Sequence, residues 1–134
     1  MVILDACVLI ALANPDHVHY ESARAIATSG QTLGVTAVTM AEYLVKPAQF
    51  GLDVVAEERR IVSGLRLTQL TEGTLAKTAS WPARIASLRA ETGLKMPDVI
   101  VLAAAMATDS SVATFDARLA EACNAASVVC LQHG

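Results

Sequence analysis

Short runs of branched apolar residues alternate with longer helical stretches from one end of the chain to the other. Nothing else in the sequence restricts the fold as much. Strand-like runs fall at residues 2–4, 33–35, 66–70, 111–115 and 127–131. Between the first two lie a helix, the Asn14-Pro15-Asp16 turn, and a second helix reaching about Thr28, where Ser29-Gly30 stops it. A helix over residues 37–45 should break near Pro47, because proline withdraws a backbone donor and restricts its neighbour. Residues 53–63 read as an amphipathic helix. Thr71 can cap a helix that resumes at Pro82 and ends near Thr92-Gly93. Pro97 opens an apolar helix to about Ala107, and residues 117–123 form the last helix. Alternation of this kind buries strands on both faces and implies a parallel sheet between helical layers.

At 134 residues the chain is short for two domains, each of which usually takes ~100–200 residues, and a single domain over 1–134 is expected. Hydrophobic residues make up 54% and charged ones 17%, which excludes disorder and coiled coil. The apolar run at 99–107 falls well short of the ~18–20 residues that a membrane span needs. The opening MVILDACVLIALA imitates a signal peptide, but no Lys or Arg precedes it and Asp5 interrupts it. A folded amino terminus in a cytoplasmic protein is the expectation. Cys7, Cys123 and Cys130 show no metal-binding spacing and read as small core residues of a reducing compartment. A net charge of −3 and five aromatic residues argue against a nucleic-acid coat or a base-stacking platform.

Four acids stand where ligands bind in such folds, beyond the carboxyl ends of the strands. Asp5 ends the first strand and is the one charged residue between Met1 and Asn14. Asp116 follows the strand VATF, and Asp98 precedes nine apolar residues. Glu42 interrupts the otherwise apolar AVTMAEYLV. Each has a bland explanation: Asp5 as a helix cap, Glu42 in a capping box with Thr39, Asp98 and Asp116 complementing helix dipoles. Caps do not explain why all four share one edge, where like charges raise one another's pKa unless a cation intervenes. No local run of Lys or Arg is placed to supply it. An all-oxygen set suits Mg²⁺ or Mn²⁺ better than Zn²⁺. Such ions serve phosphoryl chemistry, lowering the pKa of a water and stabilising a leaving oxygen. Neutralising four acids turns −3 into +1 and leaves Arg59, Arg60, Arg66, Arg84 and Arg89 for phosphates.

The segments VILDACVLIAL, VTAVTMAEYLV, GLKMPDVIVLAAAM and VATFDARL, in that order and over nearly the whole chain, resemble the PIN domain. More specifically, they resemble the VapC-type toxin ribonucleases of prokaryotic toxin–antitoxin pairs. That resemblance implies a three-layer α/β/α sandwich around a mainly parallel sheet of about five strands. It implies that Asp5, Glu42, Asp98 and Asp116 hold Mg²⁺, with Mn²⁺ as a substitute, and that Thr114 supports them by hydrogen bonding. It further implies a homodimer that cleaves transfer, ribosomal or messenger RNA and is neutralised by a cognate antitoxin. Members often carry Asn or Ser where this chain has Cys7, so the contact that residue makes with the acids should be weaker or absent.

Other residues have plainer readings. His17 and His19 suit a solvated helix start better than metal ligation, and Arg59-Arg60 after Glu57-Glu58 suits i,i+3 pairing. Trp81 reads as a packing anchor, and a reactive Cys7 thiolate lacks a nearby His. An aspartyl-phosphate phosphatase would need an Asp where Cys7 stands, and a receiver domain an acidic pair early with its acceptor in mid-chain. The remaining alternative is a catalytically weak or inactive PIN-like dimer that binds RNA or a protein.

Overall fold

A computed structural model describes residues 1–75 and 80–131; the expected helical stretch after Thr71 lies partly outside them. Five strands, β1 (Val2–Leu4), β2 (Leu33–Thr36), β3 (Thr68–Leu70), β4 (Ser111–Ala113) and β5 (Cys130–Leu131), form one sheet in the order β3-β2-β1-β4-β5. Every pairing is parallel; Val2 lies opposite Leu33 on one side and Ser111 on the other.

Eight helices connect them among the described residues. They are α1 (Ala6–Leu12), α2 (Tyr20–Ala27), α3 (Ala37–Gln49), α4 (Val54–Leu65), α5 (Glu72–Leu75), α6 (Trp81–Thr92), α7 (Met96–Thr108) and α8 (Ala117–Ala125). The strand order assigns helices to faces. Parallel crossovers are right-handed, so connections stepping one way along the sheet cover one face and those stepping back cover the other. α1 to α4, stepping from β1 to β3, pack with Val2, Leu4, Leu33 and Val35. α6 to α8 pack with Ile3 and Val112. Consecutive strand residues point to opposite faces, which is why Ile3 belongs to one core and its neighbours to the other. The three expected layers are therefore present.

α7 is the central helix of the second layer. Val99, Val101, Leu102, Ala103, Ala104 and Ala105 are all buried, and each large side chain contributes ~1.5–3 kcal/mol. Trp81 is buried in the same cluster, as expected of an anchor. No helix of the described residues is long and apolar enough to cross a membrane.

Three boundaries differ from expectation. α3 continues through Pro47 to Gln49. Pro47 lies in the last turn, so it removes the one bond its own N–H would have made to the Tyr43 carbonyl. Phe50 N–H still reaches the Lys46 carbonyl at 3.1 Å. β3 begins at Thr68 because Arg66 takes the left-handed conformation that ends α4. Among the described residues β5 begins only at Cys130, later than expected, and Ser127 takes a positive φ (59°) that keeps it out of the strand.

Candidate active site

The chain leaves β1 for β2 on one side and later returns to lay β4 on the other. Loops at the carboxyl ends of β1 and β4 therefore part in opposite directions, which makes this the switch point of the sheet, where ligands bind in such folds. Asp5 follows β1 directly, and the bend Thr114-Phe115-Asp116 follows β4.

Asp5 is buried (6% exposed), and all its polar atoms are partnered. Its N–H donates to the Ala113 carbonyl at 3.0 Å, joining the two strand ends. Oδ1 accepts from Ala6 N–H at 2.8 Å, capping α1. Oδ2 accepts from the fully buried Thr114 Oγ1 at 2.8 Å and from Cys7 Sγ at 3.3 Å. Thr114 Oγ1 in turn accepts from Asp116 N–H at 3.0 Å, and Cys7 Sγ accepts from Phe115 N–H at 3.3 Å. Burial, and then the charge of Asp5, push the Cys7 thiol up to about 11, so it serves as a neutral hydrogen-bonding group. The contact at this position is therefore not missing: sulfur reaches both the carboxylate and the facing backbone.

The bland explanations hold in part. Asp116 caps α8, with Oδ1 accepting from Arg118 N–H (2.9 Å) and Leu119 N–H (3.2 Å). Asp98 stands in the first turn of α7, where the helix dipole favours it, and is 9% exposed. The capping box at Glu42 does not form. Thr36 caps α3 by accepting from Thr39 N–H at 3.2 Å, which leaves Glu42 well inside the helix with an exposed side chain. A capping role thus uses one oxygen of Asp5 and one of Asp116, and none of Glu42.

Electrostatically the four acids form a single field. Partial loss of water, then the charges of Asp5 and Asp98, hold Glu42 above the ordinary carboxylate range. Burial, then Asp5 and Asp116, do the same for Asp98. Opposing them are two cations that sequence reasoning overlooked. Lys95 acts on both Glu42 and Asp98, and Arg118 on Asp98. Lys95 precedes α7 at its cap and Arg118 lies in the first turn of α8; both are exposed. The available signal was their position, three residues before Asp98 and two after Asp116. Neither joins an ion pair among the described residues, where the two pairs are Arg24–Glu21 and Arg60–Glu57. The latter is the i,i+3 pairing expected of that helix face.

As placed, no three His, Cys, Asp or Glu side chains of the described residues stand close enough to hold a metal ion. The donor chemistry nevertheless fits one. The set is all carboxylate oxygen, and two members are held above their ordinary pKa by burial and then by their neighbours' charge, the second of which a hard divalent cation would relieve.

Known structures share this architecture. A toxin–antitoxin complex from Klebsiella pneumoniae contains a chain with 20% identity, covering 87% of each chain at a TM-score of 0.62. FitAcB from Neisseria gonorrhoeae has 22% identity, with 98% of this chain and 97% of that one covered and a TM-score of 0.63. VapBC2 from Rickettsia felis, bound to a DNA fragment from its promoter, has 14% identity, 98% of each chain covered and a TM-score of 0.66. These identities speak for the fold alone. No curated protein sequence matches. The PIN domain family matches residues 2–125, nearly the full length and all four acids, and the chain belongs to that family.

Proposed function

We propose that the protein is a Mg²⁺-dependent endoribonuclease that acts as the toxin of a toxin–antitoxin pair. The observation that carries this reading is the mutual field of Asp5, Glu42, Asp98 and Asp116 at the β1/β4 switch point, flanked by Lys95 and Arg118. These four carboxylates would hold the ion, with Mn²⁺ as a substitute. When bound, the ion lowers the pKa of water and stabilises the departing oxygen of a phosphodiester.

The chain's own residues supply the rest. Thr114 and Cys7 fix the Asp5 carboxylate through Oδ2. Thr114 also fixes the backbone of Asp116. Lys95 and Arg118 sit where they can draw an RNA phosphate toward the acids and orient it for in-line attack. Membership of the PIN family supports nuclease activity, and the likeness to chains of toxin–antitoxin complexes supports the toxin role. An antitoxin partner, a homodimer and a cytoplasmic location belong to the same proposal. The exposed apolar residues Val45, Phe50, Leu52 and Val55, near the α3–α4 corner, are surface that such partners would cover.

One observation favours a second reading, a PIN-like dimer that binds RNA or a protein without cleaving. The carboxylates as placed are not gathered tightly enough to grip an ion. One experiment separates the two. Antitoxin-free protein is incubated with mixed cellular RNA in Mg²⁺, Mn²⁺ or EDTA, beside an Asp98→Asn variant. Discrete fragments that need the metal and vanish in the variant support the nuclease. RNA left equally intact by both proteins, with no divalent ion bound by the wild type, refutes it in favour of the binding module.

A further inference from the structure

Asp116 follows a stretch that one backbone bond ties to the sheet, from Thr114 N–H to the Leu131 carbonyl at 3.4 Å. β4 ends at Ala113, and Thr114-Phe115-Asp116 is an irregular bend before α8. Beyond that bond, side chains fix where the bend lies. Three such ties have been described, Thr114 to Asp5, Asp116 N–H to Thr114 and Phe115 N–H to Cys7. A fourth comes from a distant segment. The His19 ring lies flat on the Phe115 ring, with centroids 4.3 Å apart and planes 13° from parallel. Phe115 also packs against the buried cluster beneath α1 to α4, so its ring is held between that core and the imidazole.

His19 is itself anchored. It immediately precedes α2, its carbonyl accepts from Ala23 N–H at 2.9 Å, and its N–H donates to His17 Nδ1 at 3.0 Å. The His17 ring stands 5.8 Å beyond it. His19 stands at the helix start, as expected, and is half-buried there with its ring on Phe115. The ring makes no cap hydrogen bond to α2; its tighter ring contact is the stack on Phe115, with His17 farther off.

We propose that His19 is a positioning residue of the acidic site: through Phe115 it fixes the 114–116 bend and so the place of Asp116 beside Asp5 and Asp98. The activity readout rests on the nuclease reading; the backbone readout does not. A ring of any charge serves this role, which distinguishes it from proton transfer, ligation or phosphate binding by an imidazole.

The test compares wild type, His19→Ala and His19→Phe by RNA cleavage in Mg²⁺ and by amide hydrogen exchange at Phe115 and Asp116. His19→Ala should speed exchange at both amides by about two- to tenfold, the loss of one stacked pair. It should lower kcat about tenfold with KM changed less than about twofold. His19→Phe should restore both, with the wild-type pH profile. Wild-type exchange and kcat in His19→Ala overturn the proposal. So does a His19→Phe protein as impaired as His19→Ala, since imidazole chemistry would then be what matters. If the wild type itself cleaves no RNA, the nuclease reading falls. The exchange data alone then decide, with rescue by phenylalanine supporting the positioning role and unchanged exchange in His19→Ala refuting it.

Discussion

Thr114→Val replaces one hydroxyl with a methyl at nearly constant volume, at a position with no solvent exposure. Gone with it are the bond donated to the Asp5 carboxylate at 2.8 Å, the bond accepted from Asp116 N–H at 3.0 Å and a longer contact to Cys7 Sγ at 3.6 Å. A bond to a charged group contributes ~1.5–3 kcal/mol and a neutral one ~1 kcal/mol. Because Asp5 Oδ2 keeps Cys7 as a partner, the expected loss is about 2–4 kcal/mol. For a chain of 134 residues each kcal/mol lowers Tm by roughly 3 °C, which places the variant about 6–12 °C below the wild type. Urea unfolding followed by circular dichroism measures the difference, and an unchanged m-value shows that the two states are otherwise alike. Thr114→Ser keeps the hydroxyl and loses only a methyl, at a cost of about 1 kcal/mol. A valine variant within about 0.5 kcal/mol of wild type, or a serine variant as unstable as valine, would show that the hydroxyl does not tie the two strand ends together.

The acids should carry the opposite signature. Burial and the charges of Asp5 and Asp116 raise the folded-state pKa of Asp98 above 3.8, so its protonated form favours folding. That contribution is complete below about 3.8 and is lost as pH rises through the folded pKa. Asp98→Asn should therefore be more stable than wild type at pH 7 by over about 0.5 kcal/mol, an advantage that shrinks toward pH 4; a destabilised variant at pH 7 contradicts this. Mg²⁺ at about 100 times its Kd should add ~2.7 kcal/mol to the wild type and little to that variant, as thermal shifts would register. On the other side of α3, Tyr43 donates to Glu57 Oε1 at 2.8 Å, while Arg60 holds the same carboxylate. Burial, and then its bond to Glu57, push Tyr43 up to about 12 from 10.0. Tyr43→Phe should cost about 1–2 kcal/mol below pH 10, with the gap closing between pH 10 and 12 as the unfolded phenol ionises first; a gap that is constant with pH refutes the linkage.

Much of this was legible in the sequence because the signals are local. The apolar runs ending at Leu4 and Ala113 and the long buried stretch of α7 announce a parallel sheet, since strands covered on both faces read as unbroken hydrophobic segments. The same runs make the acids conspicuous, as Asp5 and Asp98 interrupt chain that otherwise avoids charge. Pro47 misled because a helix tolerates a missing donor in its last turn, a position that depends on where the helix stops. What the tertiary structure alone decided is who meets whom. The order β3-β2-β1-β4-β5 places β1 beside β4, and only then can Thr114 donate to a carboxylate 109 residues away. The same adjacency turns Cys7 from an apparent core residue into a bridge to Phe115. Packing of the helical layers brings Lys95 and Arg118 to the acids, and His19 over Phe115. Periodicity records which face of an element is buried, but not which element lies against it; that follows from the handedness and direction of the crossovers, which no local run of residues encodes.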